Sequence, residues 1–369
     1  MITSARAAVM TQPGAPLEIR EYPVSAVAAG MALIRITCCT VCGSDLHSWT
    51  GRRTAPTPII LGHEIVGEIA ALGDGVTHDS TDQPLHIGDR VTWTLTDSCG
   101  KCFYCREAGL PMKCRSLRKY GHDSCAAPPH LTGGFAEMCY LGAGTAIVKI
   151  PDSVTDEEAC PANCALATVV AGWDAAGLRP LETVLIQGAG GLGFYAAAYA
   201  RYQGCRTVIV TDPLEHRLAQ VRAFGATHTL NPTVGTDGSL AQAVRELTDG
   251  VGVDVVMEVA GKPAAIPVGL ECLRIGGRYV ELGSTFPSAN ATLDMSRIVF
   301  RRLTVTGLHN YDARHLVAGI RFLAAAKDRF PFSAIVSERF PLDRINEALC
   351  AAQSGTGIRV AILPSLPRR

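Results

Sequence analysis

The segment "VLIQGAGGLGFYAAAYA", residues 184–200, constrains the fold more than any other part of the chain. It starts as a short apolar strand and continues as an alanine-rich helix, and the junction carries Gly188, Gly190 and Gly193 at G-x-G-x-x-G spacing. Glycines there permit a tight turn and let the backbone approach a pyrophosphate, which the free N–H groups of the helix N-terminus stabilise. The spacing alone would also describe a glycine-rich turn with a helix-capping aspartate. Asp212, however, ends the next strand 24 residues after Gly188, where a carboxylate accepts both ribose hydroxyls of NAD and repels the 2′-phosphate of NADP. Arg217 follows closely and suits either cofactor, so NAD is expected, with NADP second.

The rhythm on either side differs. Up to about residue 160 the chain shows short β-branched runs broken by Gly and Pro, such as "MALIRIT", "EIVGEIA", "DRVTWTL" and "TAIVKIP", the pattern of a β-rich domain. From about 165 to 305, strands ("ETVLIQG", "TVIVTD", "DVVMEV", "RYVELG") alternate with helical stretches, which indicates βαβ units and a doubly wound parallel sheet. Beyond that the tail returns to strand-like pieces, "RFPFSAIVSERF" and "IRVAILP", with one helical stretch, "LDRINEALCAAQSG", between them. "NPTVGTDGSL" is expected to be a surface loop.

Composition removes several function classes. With 34 basic and 34 acidic residues the formal charge is zero, so no chain-wide field attracts nucleic acid or an anionic membrane. The first residues do not form a signal peptide, and no apolar run is long enough to span a bilayer; a cytoplasmic protein is expected. In a reducing compartment the 14 cysteines are not a disulfide framework, and metal binding explains those that cluster. Cys99, Cys102 and Cys105 at C-x2-C-x2-C spacing, with Cys114 beyond, match the closed four-thiolate shell of a structural zinc; an iron–sulfur cluster is the other option. A second group centres on "CGSDLHSWTGRRTAPTPIILGHE", residues 42–64, where Cys42 and His63 suit a zinc that keeps an open position.

"GHEIVGEIAALGDGV", Gly62 to Val76, carries the G-H-E-x2-G-x5-G-x2-V signature of the zinc-dependent alcohol dehydrogenases of the medium-chain dehydrogenase/reductase family, which the chain resembles over nearly its whole length. The resemblance implies an α/β protein: a GroES-like β-rich catalytic domain over residues 1–164 and 309–369 with both zinc sites, and a Rossmann NAD-binding domain over 165–308. It implies two zinc ions per chain and a homodimer or homotetramer. Cys42 and His63 become catalytic-zinc ligands, Glu64 stands beside the metal, and Asp45 orients His63. Cys164 is the third ligand, with Cys160 as competitor and a carboxylate as the other family option. Eight residues separate Cys105 from Cys114, one more than the usual family spacing. Ser44 and His47 match a proton relay, and Thr168, four residues after Cys164, joins the candidate catalytic set. Arg359 resembles a late arginine that approaches the cofactor pyrophosphate.

The implied activity is reversible hydride transfer between an alcohol carbon and nicotinamide, with zinc as Lewis acid. Arg52 and Arg53, in the loop that lines the family's substrate entrance, could anchor an acidic substrate or be solvated charges. "GRRTAPTP", "GLPMKC", "KYGH" and "CPANCA" resemble a bacterial subgroup linked to phosphonate metabolism. A polyol, sugar or cyclitol dehydrogenase remains an alternative, as does a non-catalytic nucleotide-binding relative.

Overall fold

The computed structural model describes residues 2–233, 240–285 and 290–364. Of the expected loop at 231–240, residues 234–239 lie outside the described residues. The described residues fall into two compact units, one within Met1–Cys164, Tyr311–Ala325 and Phe332–Arg369, the other within Ala165–Asn310 and Ala326–Pro331.

The second unit is a six-stranded, wholly parallel sheet. Its order is His228–Leu230, Thr207–Thr211, Thr183–Gln187, Val253–Glu258, Leu273–Glu281 and Thr304–Gly307. Parallel neighbours cannot be joined by hairpins, so helices such as Gly191–Tyr202, Glu215–Val221 and Ala265–Cys272 connect successive strands. Val184, Leu185 and Ile186 in a central strand are fully buried, each contributing about 1.5–3 kcal/mol of apolar transfer. Ala196, Ala197, Ala198 and Ala200 form the buried side of the helix after the glycine turn, and their short side chains let it pack closely.

The first unit is β-rich. Its larger sheet runs Ile147–Lys149, Arg90–Trp93, Glu64–Leu72, Ala32–Thr40, Arg359–Ile362 and Val336–Phe340, with Met138–Leu141 also paired to Ala32–Thr40. A three-stranded sheet has Ser4–Met10 between Glu18–Pro23 and Ile59–Ile60. Trp93, Phe135 and the isoleucines of Ala32–Thr40 fill the core between them. One expectation is corrected: the tail contains a second helix, Ala313–Ala326, ahead of Ile345–Ser354. Its Leu316, Ile320 and Leu323 are buried at i, i+4, i+7 spacing, a helical stripe that an arginine-interrupted segment hides. No helix among the described residues is long and apolar enough to cross a membrane.

Candidate active site

Among the described residues two groups bring metal-ligating atoms within 4.8 Å of one another: Cys42, His63, Glu64 and Cys164, and Cys99, Cys102, Cys105 and Cys114. The first is assembled by strand register and one short helix. Thr40 pairs with Glu64 across the antiparallel strands, and Ala361 pairs with Thr40 on the other side. Cys42 is the N-cap of helix Gly43–Trp49; its backbone N–H donates to Asp45 Oδ2 at 2.9 Å, and its side chain receives the N3 amide.

Asp45 also organises its neighbours. Its Oδ1 accepts from the Gly62 amide at 3.1 Å and lies 3.1 Å from His63 Nδ1, with both side chains buried. A proton on Nδ1 facing Asp45 would leave Nε2 free to face a metal. Ser44 Oγ is 3.3 Å from His63 Nε2. His47 lies three residues on, on the same helix face as Ser44. A hydrogen bond shared with Cys164 holds the Cys42 thiol well below its usual range, with His63 adding to the effect, and the same bond, with burial, pushes Cys164 up. Burial disfavours the His63 cation, but the charges of Asp45 and Cys42 outweigh it and raise the ring to about 10. Two sulfurs and an imidazole beside a carboxylate are the donor chemistry that zinc takes, and a metal would displace the protons they share.

Cys160 does not belong to this group: fully buried, it donates its thiol to the carbonyls of Glu64 at 3.1 Å and Cys38 at 3.4 Å. Thr168 lies in the first turn of helix Ala165–Ala176, half-buried. Two supporting residues escaped sequence reasoning. Asn163, buried, donates to the His63 carbonyl at 3.1 Å, and Thr40 donates to Glu64 Oε2 at 2.6 Å. Nothing in their local sequence distinguishes them from ordinary core polar residues.

Arg359 is buried against Glu64, donating from Nε to Oε2 at 2.8 Å and from Nη2 to Oε1 at 2.9 Å. Burial pushes the Glu64 carboxyl up to about 7, and the Arg359 charge opposes it; the two-point fork favours the ionised pair.

In the four-cysteine group, Cys102 Sγ lies 3.5 Å from Cys105 Sγ and 3.9 Å from Cys114 Sγ. Helix Phe103–Arg106 and the 3-10 turn Pro111–Lys113 lead the chain from Cys105 to Cys114. The amides of Cys99 and Ser116 donate to Cys114 Sγ at 3.2 and 3.3 Å. Backbone N–H groups of Arg115 and Cys105 lower the Cys102 thiol to about 6. These contacts favour thiolate at Cys102, the form a structural metal needs, while burial and the shared hydrogen bonds of Cys102 and Cys114 push Cys105 up to about 12.

In the second unit the glycine turn joins Thr183–Gln187 to the helix Gly191–Tyr202. A Cβ on Gly193 would lie 2.0 Å from the Gly188 carbonyl oxygen, whereas one on Gly190 would meet nothing within 4 Å. The turn therefore closes on one side and is open at Gly190, as approach by a pyrophosphate requires. Asp212 follows Thr207–Thr211 and is mostly occupied by backbone, accepting from Ala189 N and Leu214 N, both at 2.9 Å. Arg217 is half-buried on the helix Glu215–Val221.

The arginine pair is separated. Arg52 is exposed, while Arg53 is half-buried, its amide on the His47 carbonyl at 2.9 Å. Burial lowers the Arg53 guanidinium, against the opposing charges of Asp45 and Cys42. Two unanticipated residues share its surroundings. Lys119 is lowered to about 8 by burial, with Arg53 acting the same way and Cys164, Cys42 and Asp45 opposing. The His122 ring lies 4.8 Å from that of His63. A small surface depression lined in part by Met31, Asp97, Lys119 and Asp123 includes none of the four ligand-type residues.

A Rossmann sheet with an open glycine turn, together with a GroES-like unit bearing two thiol-rich donor sets, defines the class of metal-binding dehydrogenases. The comparisons narrow it. An alcohol dehydrogenase GroES-like domain matches residues 28–152, and a zinc-binding dehydrogenase domain matches residues 191–325. The chain is 32% identical to 5-exo-hydroxycamphor dehydrogenase of Pseudomonas putida, over 97% of this chain and 98% of that protein. It is 34% identical to L-threonine 3-dehydrogenase of Idiomarina loihiensis, over 88% and 90%. An alcohol dehydrogenase structure from Thermotoga maritima matches with a TM-score of 0.93 and 29% identity, over 98% and 100%. The chain belongs to the zinc-dependent alcohol dehydrogenases of the medium-chain dehydrogenase/reductase family, oxidoreductases that act with NAD(P) on small-molecule alcohols.

Proposed function

We propose that the protein oxidises an anion-bearing alcohol, or reduces the matching carbonyl compound, with NAD, using Cys42, His63 and Cys164 as catalytic-zinc ligands and Cys99, Cys102, Cys105 and Cys114 as structural-zinc ligands. The observation that carries the reading is the convergence of three soft or borderline donors beside a hydroxyl, Ser44, that is 3.3 Å from the ligating nitrogen. When bound, zinc supplies Lewis acidity that makes an alcohol O–H acidic near neutral pH. Ser44 accepts the substrate proton and His47 passes it to water, the exchange that an imidazole performs at cellular pH. Asp45 orients His63, and Glu64, its charge balanced by Arg359, stands beside the metal. Thr168, four residues after Cys164 in the chain, is a further candidate for the catalytic set.

Gly188, Gly190 and Gly193 would admit the NAD pyrophosphate, Asp212 the adenosine ribose, with Arg217 alongside. Asp212 favours NAD over NADP by charge. L-threonine, named in several relatives, is an alcohol that bears a carboxylate as well as an ammonium, whereas the hydroxycamphor named in another is neutral; the half-buried guanidinium of Arg53, rather than the exposed Arg52, supports an acidic substrate here, a phosphonate or carboxylate. A screen of NAD reduction with neutral alcohols, hydroxy acids and hydroxyalkylphosphonates tests this. The acidic alcohols are expected to give the higher kcat/KM, and Arg53→Ala to reduce their advantage while Arg52→Ala does not. A preference for neutral polyols, indifferent to Arg53, would favour the polyol dehydrogenase alternative.

We also propose a cytoplasmic homo-oligomer. No cysteine is disulfide-bonded among the described residues, as a reducing compartment requires. Val299 and Phe300 on helix Met295–Phe300 are 74% and 85% exposed beside the edge strand Thr304–Gly307, an apolar face that solvent disfavours. Phe300→Asp is expected to convert dimers or tetramers to monomers in light scattering; a wild-type chain that is already monomeric contradicts the assignment.

A further inference from the structure

We propose that Arg53 and Lys119 together form a two-cation seat for the substrate's oxyanion group, with His122 as its wall against His63. The proposal rests on the reading of Cys42, His63 and Cys164 as the catalytic centre.

Three separate pieces of chain build the seat. Arg53 lies in the loop after helix Gly43–Trp49, held by its amide on His47. Lys119 ends the strand Arg118–Lys119, paired with Thr96–Asp97. From there the chain turns tightly: the Lys119 amide donates to Asp123 Oδ2 at 2.9 Å, and the His122 amide donates to the Lys119 carbonyl at 3.0 Å. Gly121 makes this possible, with φ +69° and a position where a Cβ would lie 2.4 Å from the Gly62 carbonyl oxygen. The turn thus seats on the residue before His63 and carries the His122 ring against the His63 ring. His122 Nδ1 donates to the Tyr120 carbonyl at 2.8 Å, which fixes the ring.

The charges point to a ligand. Other half-buried cations of this unit are paired, Arg6 with Glu137 and Asp343, Arg90 with Asp156, and Lys149 with Asp89. Among the described residues the Arg53 guanidinium and the Lys119 ammonium have no ion pair. Asp45, an acid close enough to affect both, is already committed to Cys42 N, Gly62 N and His63 Nδ1. Two partly desolvated cations without a direct ion pair cost free energy in the empty protein, a cost that an anion from solution recovers. Two positive charges match the two negative charges of a phosphonate or phosphate better than the single charge of a carboxylate. The guanidinium fork and the ammonium also offer donors to several oxygens at once.

Inhibition of alcohol oxidation by methylphosphonate, inorganic phosphate and acetate tests the seat and separates the sources. Methylphosphonate and phosphate are expected to compete with the alcohol, and more strongly than acetate. Lys119→Met is expected to raise the methylphosphonate inhibition constant and the KM of a hydroxyalkylphosphonate by about 10- to 100-fold, the worth of one charged hydrogen bond, with kcat changed far less. Lys119→Arg should recover most of the loss, and Arg53→Met gives the same readout should Lys119→Met fail to fold. Inhibition constants equal in wild type, Lys119→Met and Arg53→Met overturn the seat. If acidic alcohols are still preferred in that case, the proposed function survives without it. If methylphosphonate does not inhibit the wild type and neutral alcohols are preferred, both fail.

Discussion

Replacing Cys42 by serine is expected to lower kcat/KM for NAD reduction by about a thousandfold or more, because several kcal/mol of Lewis-acid stabilisation depend on a complete ligand set. Cys42 is buried at a helix N-cap, where its backbone amide is held by Asp45 whatever its side chain. The Ser variant therefore keeps the helix Gly43–Trp49 and loses a soft donor. Far-UV circular dichroism should be unchanged while turnover disappears. Turnover within tenfold of wild type would remove Cys42 from the chemistry.

The largest effect on stability is expected from Arg359→Met. The guanidinium forks both oxygens of Glu64, and the two residues are 8% and 0% exposed. Removing one partner of such a pair leaves a buried charge without compensation, at about 3–5 kcal/mol. Glu64→Gln combined with Arg359→Met removes both charges and should recover much of that loss. Trp49 and Trp93 lie in the β-rich unit and Trp173 in the nucleotide-type unit, so denaturant curves by fluorescence with single Trp→Phe backgrounds can locate the loss. It is expected in the β-rich unit. A variant of wild-type stability whose KM for NAD alone rises would restore Arg359 to the pyrophosphate.

The parallel sheet and its glycine turn were legible in the sequence because periodicity and G-x-G-x-x-G spacing are local signals, and residues 184–200 contain both. The four cysteines were legible for the same reason, as three of them lie within seven positions, Cys99 to Cys105. What the sequence did not reveal depended on register and long-range packing. Arg359 meets Glu64 only because Arg359–Ile362 and Glu64–Leu72 flank the same strand, Ala32–Thr40, and no spacing encodes that. Lys119 and His122 lie in "KYGH", a stretch quoted only for its resemblance, and their place beside His63 emerges only when Gly121 is seen packed on Gly62. The choice between Cys160 and Cys164 likewise turned on which thiol faces the cluster and which donates to backbone. The helix Ala313–Ala326 was hidden by polar residues on its exposed side.

Zinc content bears most directly on the central claim that this chain carries a catalytic metal centre beside a structural one. Elemental analysis of the purified protein should find about two zinc ions per chain, and of Cys42→Ser about one, since one of two independent donor sets is broken. One zinc in the wild type, unchanged by Cys42→Ser, would contradict the catalytic centre and leave only the four-cysteine site.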